Sequence, residues 1–148
     1  MPKRELEIPG WFVLKISPWS VGVTVSRLVG FSRGRGLKVF SVIDHRQEAL
    51  DVGLELQESR VAILGSAKAG TPVMAAFPLA ALDLSLKVLV WSDGDDTKLG
   101  YAATSELGCR FGVDAVLSDR LTGIEGLTDD VISTVDLRPD VPGTARFA

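Results

Sequence analysis

The chain has 148 residues, of which 46% are hydrophobic and 24% charged, which is the composition of a folded globular protein of ordinary domain size. A single cysteine excludes an internal disulfide, and a single histidine excludes a metal site built from several histidines. The net charge of −3 argues against a nucleic-acid-binding surface, and no apolar run approaches the ~20 residues of a membrane span. We therefore expect a cytoplasmic protein without nucleic-acid or membrane partners.

The first third of the chain contains one clear element and one ambiguous segment. Residues 1–10 are charged and include two prolines, which predicts a loose leader, and the apolar run 11–16 predicts a first strand. In residues 20–35 the valines alternate as in a strand but also repeat at helical spacing. Each glycine inside this segment would cost a helix about 1 kcal/mol relative to alanine, so propensity leans towards a strand. We interpret 20–35 as a helix because of the family resemblance described below.

The next segment predicts a strand, a short helix and another strand. Residues 37–43 are apolar and β-branched, as strands are. Asp44 is a good N-cap for a helix, with Gln47 at the position of its capping-box partner and Gly53 placed to end it. Residues 59–65 predict the third strand.

A glycine-flanked loop and a helix come next. Thr71-Pro72 predicts the start of that helix, because proline fits the first helical position, and Pro78 is expected to interrupt it. Beyond it the sequence predicts two strands, a short helix, an amphipathic helix and a frayed tail, at residues 86–91, 99–102, 106–111, 124–135 and 136–148. No linker divides the chain, so we expect a single domain over residues 11–135.

Several short motifs carry a resemblance to a known family, and the specific ones lie within residues 43–91. In chain order they are Ile43-Asp44-His45, Gly53-Leu54-Glu55-Leu56, Arg60, Gly65, Lys68, Gly70-Thr71-Pro72-Val73-Met74, Ala81-Leu82-Asp83-Leu84, Leu86-Lys87 and the strand that ends at Trp91. With them, the chain resembles the bacterial family known as domain of unknown function 302 over roughly residues 11–135.

The resemblance implies an α+β, two-layer fold in which helices cover one face of a curved, mostly antiparallel sheet of about five strands, similar to the TATA-binding-protein fold. It implies self-association and no established reaction, and a shared fold does not imply DNA binding. Two positions depart from the family pattern. Ser66-Ala67 stands where the family commonly has Asn-Pro, and Ser85 stands where it commonly has proline. Ligand contacts from backbone amides or Lys68 are therefore expected, but none from an asparagine side chain.

The loop 65–71 is the leading hypothesis for a ligand site. A strand that enters a loop before a helix leaves amide N–H groups facing outward with partial positive charge, and such a terminus can bind a phosphate or carboxylate. No lysine follows the second glycine, which excludes a nucleotide-hydrolysing phosphate loop. The structural alternative is a tight turn with Thr71 as the helix cap. The predicted contacts to a small anion are Gly65, Ser66, Lys68, Gly70, Thr71, Asp83 and Lys87.

Two other hypotheses stay open. A small hydrolase or transferase would use His45 as general acid or base with Asp44 or Ser66, although Asp44 could simply cap its helix beside an exposed imidazole. Alternatively, all of these residues maintain the fold and a homodimer interface. The sequence indicates no metal site and identifies no cofactor.

Overall fold

The computed structural model describes residues 6–112 and 123–135; the predicted tail at 136–148 and the first half of the predicted leader lie outside this range. Within it, five β-strands, five α-helices and one 3₁₀ helix are formed. In chain order they are β1 (Phe12–Ser17), α1 (Val21–Gly34), β2 (Lys38–Asp44), α2 (His45–Asp51), β3 (Ser59–Gly65), α3 (Ala67–Ala76), the 3₁₀ helix (Pro78–Leu82), β4 (Leu86–Asp93), β5 (Asp96–Ala102), α4 (Ser105–Phe111) and α5 (Ile124–Ile132).

The five strands form one antiparallel sheet in the order β1-β5-β4-β3-β2, and the predicted α+β class is confirmed. β2 is an edge strand, and its first residue, Lys38, pairs with Gly65 at the end of β3. The register of this pair shifts between Val39 and Ser41, so Phe40 is the extra residue of a β-bulge. Bulges change the direction of a side chain, and this one lies beside the predicted ligand loop.

Helices α1 and α5 cover one face of the sheet. Strand residues alternate between the two faces, and the apolar residues near the middle of β3, β4 and β5 that face these helices are buried. Each buried leucine or valine of this kind contributes about 1.5–3 kcal/mol to the hydrophobic stabilisation. The core they form comprises Val21, Val25, Leu28, Phe31, Ala62, Leu64, Val88, Val90, Leu99, Tyr101, Ile124, Leu127 and Val131.

The ambiguous segment 20–35 is a helix, as the family resemblance implied. Ser20 is its N-cap, with Oγ accepting a hydrogen bond from the amide of Val23 at 3.2 Å. Thr24 is fully buried, and its hydroxyl is hydrogen-bonded to that of Ser17 in β1 at 2.7 Å. Gly22 lies where an added Cβ would meet nothing within 4 Å. Burial of the apolar face therefore outweighs the low helix propensity of the glycines.

Arg27 of α1 caps the end of α5. Its Nε donates to the carbonyl of Val131 at 2.8 Å, and its Nη2 donates to the carbonyls of Asp130 and Ser133 at 3.2 and 3.0 Å. The guanidinium also lies 4.9 Å from the ring centroid of Trp19. Because the last carbonyls of a helix have no intrahelical partner, this one side chain fastens α5 to α1.

The other face of the sheet, here called the open face, carries apolar side chains that are exposed or half-buried. Two of them lie across glycines: a Cβ added at Gly100 would lie 2.2 Å from Phe12 Cζ, and one added at Gly65 would lie 2.3 Å from Phe40 Cε2. The Phe12 ring also makes an edge contact with Trp91 at a centroid distance of 6.2 Å. The apolar residues of the open face are Phe12, Leu14, Ile16, Phe40, Ile43, Val61, Ile63 and Leu89.

Candidate functional site

The predicted ligand loop is shorter than expected because α3 begins four residues before Thr71. Ser66 is the N-cap, and its Oγ accepts a hydrogen bond from the amide of Ala69 at 3.2 Å. Thr71 and Pro72 therefore lie inside the helix, and the prediction that they begin it is wrong. Both Ser66 and Thr71 are acceptable caps, and the end of β3 at Gly65 decides for the first.

Proline inside α3 has a cost that tertiary packing offsets. Pro72 has no N–H, so the carbonyl of Lys68 lacks the donor that a regular helix would supply. On the adjacent helical position Val73 is fully buried, and it packs in a small core with Ala80 and Leu84. This contact holds α3 against the chain that leads into β4.

Two free amides remain at the start of α3. The amides of Ala69 and Gly70 donate to the hydroxyl and carbonyl oxygens of Ser66, at 3.2 and 2.8 Å. Within the described residues, the amides of Ala67 and Lys68 have no acceptor. The free donors are therefore fewer than the continuous arc over 65–71 that the sequence predicts.

A cavity of about 390 Å³, here called the loop cavity, opens beside these amides. Of the predicted ligand residues, Gly65, Ser66 and Gly70 lie on its wall, whereas Lys68 and Thr71 are exposed and do not line it. The remaining wall is mostly apolar and comes from β2, α3, the start of β4 and the start of α5. Its further residues are Arg35, Leu37, Phe40, Ala67, Ala69, Met74, Ala81, Leu84, Ser85, Leu86, Gly123 and Ile124.

Three basic side chains lie at or near the loop cavity. Arg35 is on the wall, and its Nη2 forms an ion pair with Asp130. Its Nη1 is buried and has no hydrogen-bond partner within residues 6–112 and 123–135. Lys38 lies opposite Gly65 in the sheet, and its Nζ is 5.5 Å from the centroid of the Phe40 ring. Among the described residues, neither Lys38 nor Lys68 has an ion pair.

Sequence reasoning did not assign Arg35, Lys38 or Phe40 to the site. They precede the loop by about thirty residues, and only the pairing of β2 with β3 brings them beside it. The available signal was a local excess of basic residues around 27–38, which by itself is typical of a solvated helix end.

Asp83 and Lys87, two further predicted ligand residues, line a different cavity of about 280 Å³ at the start of β4. Asp83 forms ion pairs with Arg110 of α4 at 2.6 Å and with Lys87 at 3.5 Å. The two cavities share three wall residues, Ser85, Leu86 and Ile124. The predicted set of ligand residues is therefore divided between two neighbouring cavities.

The predicted catalytic residues do not come together. Asp44 caps α2 by accepting a hydrogen bond from the amide of Gln47 at 3.0 Å and forms an ion pair with Arg60 at 3.4 Å. The imidazole of His45 is exposed and has no partner among the residues that the structure describes. The Gln47 side chain bonds to Asp51 and does not complete a capping box. Ser66 and His45 lie beyond opposite ends of the β2–β3 ladder, and the ladder itself is about 17 Å long at the usual rise per strand residue, so they form no catalytic pair.

Two further observations concern metals and membranes. Over residues 6–112 and 123–135 no three His, Cys, Asp or Glu side chains are grouped as metal ligands would be. In the same ranges, no helix has the length and apolarity required to cross a lipid bilayer. The single cysteine, Cys109, is exposed on α4.

The fold and these sites can be compared with known proteins. The sequence profile of the family described as Domain of unknown function DUF302 matches residues 13–134. The chain belongs to this family. A crystal structure of an uncharacterized conserved DUF302 protein from Bacillus stearothermophilus is similar to it, with a TM-score of 0.72 over 84% of this chain and 97% of that one. At 16% identity this similarity shows the shared fold.

Part of this DUF302 chain is also similar to curated proteins of greater length. Fluoride-specific ion channel FluC 1 of Brucella suis biovar 1 (strain 1330) is 33% identical over 75 residues, which are 51% of this chain and 30% of that protein. The protein of the same name from Brucella abortus biovar 1 (strain 9-941) is also 33% identical over 75 residues, or 28% of its length. The matched segment is less than a third of either relative.

Proposed function

We propose that this DUF302 chain is a non-catalytic module that binds a small anion with an apolar body in the loop cavity. The observation that carries the proposal is that an apolar wall, the start of α3 and Arg35 meet at one cavity. Sites for small molecules are usually of this kind, mostly apolar with a few polar groups that orient the ligand. The apolar wall can cover the apolar body of the ligand. The start of α3 and Arg35 can bind its carboxylate or phosphate.

The charges around the loop cavity favour an anion. None of the described residues on its wall is acidic, and the carboxylate of Asp130 is already paired with Arg35. Arg35 Nη1 is a buried donor without an acceptor, a state that costs about 1–3 kcal/mol. An anion reaches Nη1 if the guanidinium turns towards the cavity, and the new hydrogen bond then recovers part of that cost.

The curated relatives are named for an anion, but fluoride itself does not suit this cavity. A space of about 390 Å³ with a largely apolar wall is far larger than a halide ion. A small hard anion would give up its hydration there without enough donors to replace the water. The proposed ligand is therefore an organic anion.

Calorimetric titration of the full chain with acetate, butyrate, hexanoate, phosphate and sulfate tests the proposal. We expect affinity to rise with the length of the carboxylate, because each buried methylene contributes about 0.8 kcal/mol. Arg35→Gln is expected to weaken binding about tenfold, as for loss of a charged hydrogen bond, and Lys68→Ala to weaken it less. Arg33→Gln is the matched control, since Arg33 is exposed on the same helix end and does not line the cavity.

Two results would contradict the proposal. One is that none of these anions binds. The other is that Arg35→Gln and Arg33→Gln bind them equally well, because the cavity would then play no part.

We also propose that the chain self-associates through the open face. This face carries exposed apolar side chains at both of its edges, with 52% of Ile16 in β1 and 53% of Phe40 in β2 accessible. Exposed apolar surface of this kind favours an interaction between chains. Light scattering is expected to show a dimer that Ile16→Asp dissociates, whereas Leu79→Asp, at an 80% exposed position on the 3₁₀ helix, leaves it intact. A monomeric wild-type chain would exclude this second function.

A further inference from the structure

Phe40 provides a flat aromatic surface in the wall of the loop cavity. Its position in the β-bulge directs it over Gly65, where a Cβ would overlap the ring at 2.3 Å. One side of the ring therefore packs against backbone, while 53% of the residue remains accessible. An aromatic ring so exposed gains by being covered, because its burial removes apolar surface from water.

Two further side chains favour an aromatic partner at this place. Met74 lies on the wall of the same cavity, and thioether groups make favourable contacts with aromatic rings. Lys38 Nζ lies 5.5 Å from the Phe40 centroid, so a positive charge is held next to the aromatic surface. An anionic group attached directly to a ring would meet both features at once.

We infer that the ligand of the loop cavity is a planar aromatic acid, whose ring lies against Phe40 and Met74 and whose acidic group faces Lys38 and Arg35. This inference rests on the proposed function and names its ligand class. A saturated ring of the same size and charge fills the same volume but lacks the π-face. The difference between the two therefore isolates the aromatic contact from charge and burial.

The test is calorimetric titration of the full chain with benzoate and with cyclohexanecarboxylate. Contacts between aromatic rings favour benzoate by about fivefold. Phe40→Leu is expected to abolish this preference. Phe12→Leu is the matched control and is expected to retain it, since Phe12 also lies across a glycine on the open face but does not line the loop cavity. Phenyl phosphate and cyclohexyl phosphate, measured in parallel, distinguish a phosphate ester from a carboxylate as the acidic group.

A second measurement does not depend on the stability of a variant. The chain has two methionines, Met1 and Met74, so methyl-labelled methionine gives two NMR signals. Benzoate is expected to shift the signal of the Met74 methyl group, which lies on the wall of the loop cavity, by its ring current. Cyclohexanecarboxylate has no ring current and is expected to cause a much smaller shift.

The possible failures are distinguishable. If both carboxylates bind equally and Phe40→Leu changes neither affinity, the aromatic inference is overturned while the proposed function stands. If neither binds, both are overturned. If benzoate binds without moving the Met74 signal, it binds outside the loop cavity, which also overturns both.

Discussion

Gly65 and Gly100 each lie under a phenylalanine ring, and replacing each of them with alanine should show what the ring above it contributes. A Cβ at Gly65 would lie 2.3 Å from Phe40 Cε2, and a Cβ at Gly100 would lie 2.2 Å from Phe12 Cζ, so both rings must move by more than 1 Å to reach an ordinary contact. The surroundings differ. Phe40 is more than half accessible and can turn outward, whereas Phe12 is half-buried and packs on Trp91.

The cost of each substitution follows from what the ring loses. Phe40 has about half of its surface buried, or roughly 100 Å², which at about 25 cal/mol per Å² is at most ~2.5 kcal/mol. Alanine returns about 0.5–1 kcal/mol because it loses less chain entropy than glycine, so Gly65→Ala should cost about 1–2 kcal/mol. At Gly100 the added Cβ also meets the carbonyl oxygen of Val13 at 3.0 Å, so β1 itself must shift, and we expect a loss above ~3 kcal/mol.

Urea denaturation of both variants measures these losses, and benzoate titration of Gly65→Ala then tests the functional consequence. Since the displaced Phe40 ring no longer forms the wall, the preference for benzoate over cyclohexanecarboxylate should disappear in a chain that is still folded. Equal or greater destabilisation by Gly65→Ala than by Gly100→Ala would refute the packing argument. A retained aromatic preference would refute the role of Phe40.

Three further predictions concern the fold. Arg27→Met should lower the free energy of unfolding by about 2–3 kcal/mol in urea, because three carbonyls at the end of α5 lose a charged donor. Arg33→Met should change it by less than ~0.5 kcal/mol, because the Arg33 side chain is exposed and has no partner in the described part of the chain. Ser66→Ala should cost about 1 kcal/mol, or about 2–4 °C in Tm, by removing the cap of α3, and an unchanged Tm would argue against that cap. For α2, Asp44→Ala should lower the free energy of unfolding by about 1 kcal/mol, and Asp44→Asn should lower it less because asparagine keeps the capping oxygen. If both variants lose the same free energy, the ion pair with Arg60 is the stabilising interaction.

Local sequence signals predicted the strands better than the helix starts. Residues 59–65 form β3 as predicted, because a β-branched, apolar run has one suitable place in a sheet. The start of α3 was misplaced because Ser66 and Thr71 are both competent caps. The end of β3 at Gly65 selects the earlier start, and the burial of Gly70 and Val73 near Leu84 is compatible with it, although it places proline inside the helix.

The segment 20–35 is a second case in which local sequence signals did not decide the conformation. Its glycines and alternating valines favoured a strand, and the helix was predicted only through the family resemblance. In the structure the apolar face of α1 is buried against the sheet, and this burial decides the conformation. Helices in proteins are stabilised mainly by such packing and less by the propensities of their residues.

The sequence by itself determined the family through short motifs, and the fold class through that resemblance. Local periodicity and the glycines placed the loop after β3. Only the tertiary structure decided which side chains meet at that loop. The antiparallel register of β2 against β3 brings Arg35, Lys38 and Phe40 to the loop. Asp83 lies instead on the wall of the neighbouring cavity, where it is paired with Arg110 and with Lys87. The physical reason is that a site is defined by distances in space. Contacts between distant segments depend on which strands pair, on irregularities such as the bulge at Phe40, and on side-chain packing, and these follow from the fold as a whole.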